Sequence, residues 1–182
     1  MPKQKITEDE LINTCIKVFR ERGYNGTSMQ DLADACELTK GNFYHYYTNK
    51  EALMKAALKK VNSYFNYLFF DKLHQPQLSI REKKQLFKEK ALQLFDEKGG
   101  CIMGNTALES AITHPDFRQL VRVFFDQWIK AMRQLYIESG MSGDEANERA
   151  KQSVALAEGS IMMMQVFQDK GYLEKTLDSI LE

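Results

Sequence analysis

Apolar residues recur at intervals of three and four along almost the whole chain, the period of an amphipathic helix. Leu11, Ile12, Cys15, Ile16 and Phe19 form the first stripe. The capping-box spacing Thr7-x-x-Glu10 introduces it, and Gly23 ends it. A second, shorter stripe of Met29, Leu32, Ala33 and Cys36 follows Ser28, with Asp31 three positions on. Thr39 caps a third short helix, and Asn49 caps a fourth that runs to about Lys72. After a connection containing Pro76, Ser79-x-x-Glu82 opens a fifth helix that stops at Gly99-Gly100. "CIMGNTALESAIT" reads as a short sixth helix. Pro115, suited to a first helical position, starts a long seventh that ends near Gly140. Ser142-x-x-Glu145 opens an eighth to about Lys170, and "YLEKTLDSILE" makes a ninth. No strand emerges from the pattern, so the predicted fold is all-α with nine helices.

The third segment stands out by what it carries. On a helix turning about 100° per residue, Phe43, Tyr46 and Tyr47 share one face, suited to packing on the first two helices. Lys40, Gly41, Tyr44 and His45 occupy the rest and would stand in solvent unless something covers them. Two short helices joined by the tight "CELT" connection, the second with a polar, aromatic-tipped outer face, describe a helix-turn-helix. In that arrangement the second helix lies in the DNA major groove, its N-terminal residues near the bases. A glycine at position 41 costs up to about 1 kcal/mol against alanine, and gains clearance for a close backbone approach. Tyr44 and His45 carry hydrogen-bonding groups suited to phosphate oxygens. Lys50, in the first turn of the fourth helix, sets a cation beside helix-terminal N–H groups. Thr27 and Ser28 are open to the same role at the start of the second helix, or to a plain capping role.

Composition narrows the setting. Of 182 residues, 43% are hydrophobic and 27% charged, ordinary for one globular domain or two small ones. The formal net charge is zero, so DNA binding has to rest on local placement. Residues 1–60 hold 10 lysines and arginines against 8 acidic residues, a slight excess toward the N-terminus. "MPKQKITEDE" lacks the apolar core of a signal peptide. The most apolar run, "YFNYLFF", is far short of the roughly 18 residues of a membrane span. Cys15, Cys36 and Cys101 form no CxxC pair, which suits a reducing cytoplasm. No membrane partner, metal or cofactor is expected. The three histidines (His45, His74, His114) lack the i, i+4 pairing of a helical zinc site. No GxSxG, HExxH, phosphate loop or dinucleotide fingerprint is present, and no catalytic residue is assigned.

The stretch "GYNGTSMQDLADACELTKGNFYHYYTNKEALMKAAL" resembles the DNA-binding module of the tetracycline-repressor (TetR) family of bacterial regulators. The likeness covers roughly residues 7–58 and rests on Gly23, Thr27, Ala33, Lys40-Gly41, Tyr44, Tyr47, Lys50-Glu51 and Leu53. The family's usual phenylalanine is tyrosine at position 47 here. The resemblance implies a homodimer that represses by binding a palindromic operator and is released by a small apolar or amphipathic effector. It carries recognition roles onto Lys40, Gly41, Asn42, Tyr44 and His45. It further implies a helix-turn-helix domain over residues 1–48 and a ligand-binding and dimerisation domain over 49–182, entered by a linking helix at 49–72. That helix would join the two parts stiffly.

The C-terminal part offers fewer signals. The seventh helix has Phe117, Val121, Phe124, Trp128, Met132 and Leu135 on one stripe, wide enough for core. Pockets between helices are mostly apolar too, and Met103, Phe124 and Trp128 are candidates to line one. The eighth helix mixes small residues with Val154, Ala157, Ile161 and Met164. The resemblance makes the last two helices a four-helix bundle across a two-fold axis, with those four residues as candidate dimer contacts. "GGCIMGNTALESA" shares its Gly-Cys pair and AxE spacing with one subgroup of TetR-like proteins, some of which sense electrophiles or oxidants through that cysteine. Cys101 therefore has two readings, a sensing thiol near a helix N-terminus or a buried packing residue, with Lys98 its nearest cation in sequence. A thiol-responsive regulator is one alternative function. A helical interaction protein without DNA affinity is another, and it leaves the Lys40–His45 face unexplained.

Overall fold

The computed structural model describes residues 6–73, 75–95 and 99–182, and among them no strand occurs. Nine helices follow in the expected order among the described residues: α1 (Glu8–Arg22), α2 (Met29–Ala35), α3 (Lys40–Tyr44), α4 (Lys50–Phe65), α5 (Ile80–Phe95), α6 (Ile102–Glu109), α7 (Pro115–Glu138), α8 (Gly143–Phe167) and α9 (Gly171–Leu181). His74 and Lys98 lie outside the described residues.

The predicted start signals are made in detail. Thr7 and Glu10 form a reciprocal capping box, as do Ser28 and Asp31, each satisfying orphan N–H groups of a first turn. The Glu10 and Asp31 carboxyls are held below their usual range by these bonds from Thr7 and Ser28. Ser79 and Glu82 repeat the device, and Ser142 and Asn49 accept from the N–H groups of Glu145 and Ala52. One departure concerns α4. Instead of running to Lys72 as a regular helix, the chain passes through a π-helical turn (Asn66–Phe70) and a last short α segment, Asp71–Leu73. The wider turn lets Phe65, Phe69 and Phe70 all be buried, a result that the 3.6-residue period disfavours for adjacent residues.

By packing, the chain forms two compact units. One comprises the chain through Val61 together with Ile102–Val121, and the other comprises Asn62–Cys101 and Arg122–Glu182. These units differ from the division by role at residues 48 and 49, because α4 and α7 contribute to both and α6 packs on α1. The first unit's core includes Leu11, Cys15 and Phe19 of α1, Leu32 and Ala33 of α2, Phe43 of α3, and Leu53, Met54, Ala57 and Leu58 of α4. In the second unit α9 packs on α8 and α5. The Tyr136 hydroxyl donates to the Ile180 carbonyl at 2.6 Å and lies 2.6 Å from the Ser153 hydroxyl, tying the end of α9 into that core. The Lys83 ammonium, almost fully buried, meets the Glu138 carboxylate at 2.6 Å.

Candidate nucleic-acid interface

The third helix divides as its pattern predicts. Phe43 is fully buried, whereas Lys40, Gly41, Asn42, Tyr44 and His45 are exposed. Thr39 caps the helix by accepting the Asn42 N–H. Two tyrosines fasten its inner side. Tyr46 donates to the Ile6 carbonyl at 2.9 Å, and Tyr47 donates to Glu8 at 2.8 Å. Burial and then the Glu8 bond push the Tyr47 phenol up to about 12, so it remains a donor. Gly41 has no heavy atom within 4 Å of where a Cβ would sit, and its φ lies outside the left-handed region. Nothing among the described residues requires a glycine there.

Three expected DNA contacts stand differently. Thr27 is buried, and its hydroxyl donates to the Gly23 carbonyl at 2.6 Å, holding the α1–α2 turn. Ser28 is exposed, but its hydroxyl is taken up by the capping box with Asp31. Lys50 points inward. Its ammonium donates to the Tyr24 and Thr27 carbonyls, both at 2.7 Å, and sits 4.2 Å from the centre of the Tyr24 ring. Burial lowers the Lys50 pKa, and the Glu109 charge works against that shift. Held by two carbonyls, this lysine tethers the turn rather than standing free for a phosphate. Sequence alone could not separate the two, because a helix-start lysine reaches either way.

Glu109 is the residue that sequence reading missed. Its carboxylate accepts the N–H of Tyr24 at 2.8 Å and that of Asn25 at 2.7 Å, 85 and 84 positions away. Gly23, at φ 72, gives way to it: a Cβ there would meet the carboxylate at 2.6 Å. Tyr24 is further packed edge-on against Phe117 and His114, ring centroids 5.0 and 5.1 Å away. The turn before the helix-turn-helix is thus held from α4 by a cation and from α6 by an anion. The glutamate of the AxE spacing was the available signal, and only the fold shows what it grips.

The expected effector and dimer residues are distributed as follows. Met103 is fully buried in the first unit. Phe124 and Trp128 belong to the second, rings 6.0 Å apart, within a cluster that includes Phe65 at 4.8 Å and Phe70 at 6.4 Å from Phe124. Cys101 is buried, and its thiol is hydrogen-bonded to the Glu158 carboxyl. Burial lifts that carboxyl to about 7, the thiol bond opposing the rise, and Glu158 Oε1 has no hydrogen-bond partner among the described residues. Val154, Ala157, Ile161 and Met164, expected as dimer contacts, are buried within the single chain. The outward stripe of α8 carries Leu156, Met162, Val166 and Phe167, exposed by 53, 56, 67 and 57%, with the Tyr172 ring stacked on Phe167. Helix α8 is apolar or small on both faces, so periodicity could not say which face turns in.

The chain is similar to known proteins in sequence and in fold. Residues 11–57 match the family described as bacterial regulatory proteins, tetR family, and residues 80–178 match the C-terminal domain of LmrA/YxaF-like transcriptional regulators. The chain is 26% identical over 178 residues to the HTH-type transcriptional repressor DhaR of Mycobacterium sp. (strain GP1), covering 94% of this chain and 89% of that one. It is 30% identical over 132 residues to the biofilm operon icaADBC HTH-type negative transcriptional regulator IcaR of Staphylococcus epidermidis, covering 68% of each. A crystal structure of a TetR transcriptional regulator from Legionella pneumophila superposes with a TM-score of 0.88 at 21% identity, covering 98% of this chain and 97% of that one.

Proposed function

The chain belongs to the TetR family of bacterial DNA-binding transcription regulators, and on that premise we propose that it is a cytoplasmic homodimeric repressor released from a palindromic operator by a small apolar or amphipathic effector. The observation that supports the docking surface is the exposed Lys40, Gly41, Asn42, Tyr44 and His45 group, whose glycine meets no constraint among the described residues. Lys40 and Asn42 offer donors to base edges or phosphates, Tyr44 and His45 offer them to phosphates, and Gly41 lets the backbone approach. A repressing sign follows the relatives named as repressors. Two such helices would enter successive major grooves about 34–36 Å apart.

The dimer uses the outward stripe of α8 from Leu156 to Phe167, an apolar strip that the single chain leaves exposed. Charge placed there, as in Val166→Glu, yields a 21.1 kDa monomer in size exclusion where the parent elutes at twice that mass. The effector contacts the Phe124–Trp128 cluster of the second unit; Met103, the third expected lining residue, is buried in the first. A second reading is favoured by the Glu158 oxygen left without a partner among the described residues, beside Cys101: the effector is an electrophile that the thiol captures. Loss of the effector response in Cys101→Ser would select that reading.

The deciding experiment is a fluorescence-anisotropy titration of the protein's own upstream DNA across salt concentrations. Lys40→Ala and Tyr44→Ala each weaken operator binding by roughly 1–3 kcal/mol with unchanged thermal stability. Unchanged affinity in both would remove α3 from the interface.

A further inference from the structure

Cys15 and Cys36 bring their sulfurs within 3.9 Å of each other in the core shared by α1 and the end of α2. They are unequal in their surroundings. Cys15 is fully buried on the inner stripe of α1. Cys36 is 6% exposed and lies in the wall of a 1120 Å³ groove, with Glu10, Thr14, Leu38 and Asn42. Cys36 also ends α2, one residue before Glu37, whose φ of 53 turns the chain toward α3. The Cys36 thiol lies 3.9 Å from the Leu11 carbonyl, to which it can donate, and either thiol can donate in the bond across the pair. That bond lowers the Cys36 pKa although burial opposes it, and the same bond together with burial pushes Cys15 up. One sulfur is thus reachable and readier to ionise, and the other is kept protonated against it, the division that two-thiol chemistry requires.

We propose that Cys15 and Cys36 are a dithiol that hydroperoxides oxidise to a disulfide inside the helix-turn-helix, lowering its affinity for DNA. The Cys36 thiolate attacks an oxygen of ROOH; the O–O bond breaks, the alkoxide leaves and takes up a proton as ROH, and Cys36 becomes a sulfenic acid. The Cys15 sulfur then gives up its proton and attacks the Cys36 sulfur. The S–S bond forms, the S–O bond breaks, and hydroxide leaves with a proton as water. The two thiols lose two protons and two electrons, and ROOH takes up both to become ROH and water.

The mechanical effect follows from distance. A disulfide needs sulfurs about 2.05 Å apart, so the pair must close by nearly 2 Å from its present 3.9 Å. Cys15 sits mid-helix between the buried Leu11 and Phe19, so α1 resists displacement. Cys36 sits at a helix end followed by a turn, and there the chain yields. That turn leads directly into Thr39, the cap of α3, so the closing bond shifts the recognition helix. The consequence for affinity rests on the reading of α3 as the DNA-docking helix; the chemistry of the pair does not.

The test uses the full-length Cys101→Ser protein, so that only this pair can react. It is treated with tert-butyl hydroperoxide and followed by thiol counting under denaturing conditions, intact mass and operator anisotropy. Both remaining thiols disappear, the mass falls by about 2 Da, peptides containing Cys15 and Cys36 become cross-linked, and operator affinity drops by roughly ten-fold or more until dithiothreitol restores it. With Cys15→Ser added, affinity before treatment is kept and the reversible loss disappears; Cys15→Ala replaces that variant if its fold, checked by circular dichroism, is disturbed. Survival of both thiols, a gain of oxygen mass in place of the cross-link, or a cross-link that leaves affinity unchanged each overturns the proposal. If untreated protein binds no operator, the docking reading fails, and thiol counting with the cross-link still decides whether the dithiol exists.

Discussion

Around the α1–α2 turn, single polar groups have single tasks. Lys50 holds two carbonyls, Glu109 holds two N–H groups, Thr27 closes the turn on Gly23, and Ser28 caps α2. In the second unit, the interior is shared among rings: Phe124 alone lies within 6.4 Å of the centroids of Phe65, Phe70, Phe125 and Trp128. The two regions fail differently. A lost polar tether changes where a backbone segment sits, while a lost ring mainly removes volume from a core whose other members stay in place. The first kind of damage should therefore be read in DNA affinity and the second in global stability.

The largest effect belongs to the ring cluster. Phe124→Ala empties a fully buried site and should destabilise the protein by about 3–5 kcal/mol in chemical denaturation. Operator affinity of the fraction that remains folded should be nearly unchanged; a drop matching that of a recognition-helix mutant would erase the contrast. Glu158→Gln comes next. The carboxyl ordinarily titrates at 4.5 and here at about 7, so the folded state binds the extra proton between those values. Its protonated form is favoured by folding, so stability is full below about pH 4.5 and falls as pH rises through 7. The loss by pH 8 is on the order of 3 kcal/mol, from about 1.4 kcal/mol per unit. Glutamine removes the charged form and should make the variant more stable than the parent at pH 8 and comparable at pH 5. Denaturation midpoints that move in parallel at both pH values would show that Glu158 is not buried with its proton.

A smaller effect with a different readout comes from Glu109→Ala. Two charge-assisted bonds to backbone N–H groups disappear at a site partly open to water, at a cost of about 2 kcal/mol. The amides of Tyr24 and Asn25 should exchange hydrogen faster, and operator affinity should fall even though position 109 is far from α3 in sequence. Faster exchange with full affinity would mean that the tether steadies the turn without placing the recognition helix.

The same contrast decides what was legible in the sequence. The helix-turn-helix could be read residue by residue because its constraints are local. A cap needs its partner three positions on, Gly23 ends a helix, and Phe43 alternates with Lys40 and Tyr44 on a helix of five residues. Long-range partners left no such mark: nothing about position 50 or 109 announces a grip on residues 24–27. In the second unit, spacing gave the helices but not their facing: Val154, Ala157, Ile161 and Met164, expected as dimer contacts, pack inside the single chain. The π turn at Asn66–Phe70 was hidden for the same reason, since adjacent buried aromatics fit no regular helical period.

The smallest predicted effect has opposite signs in the two readouts. Gly41 lies in α3, has no atom within 4 Å of a Cβ position, and carries no left-handed φ. Alanine there meets no neighbour and restricts the unfolded chain, so Gly41→Ala should raise stability, by less than about 1 kcal/mol because the helix is short and the position near its start. If the backbone at this point presses against a duplex, the same methyl group is an obstruction, and operator affinity should fall while the melting temperature rises. Lys40 and Tyr44 cannot separate these effects as cleanly, because removing either deletes a contact as well as changing shape. A Gly41→Ala protein that is more stable and binds its operator at least as well would mean that the glycine answers to nothing on the DNA, leaving position 41 without a physical reason in either state.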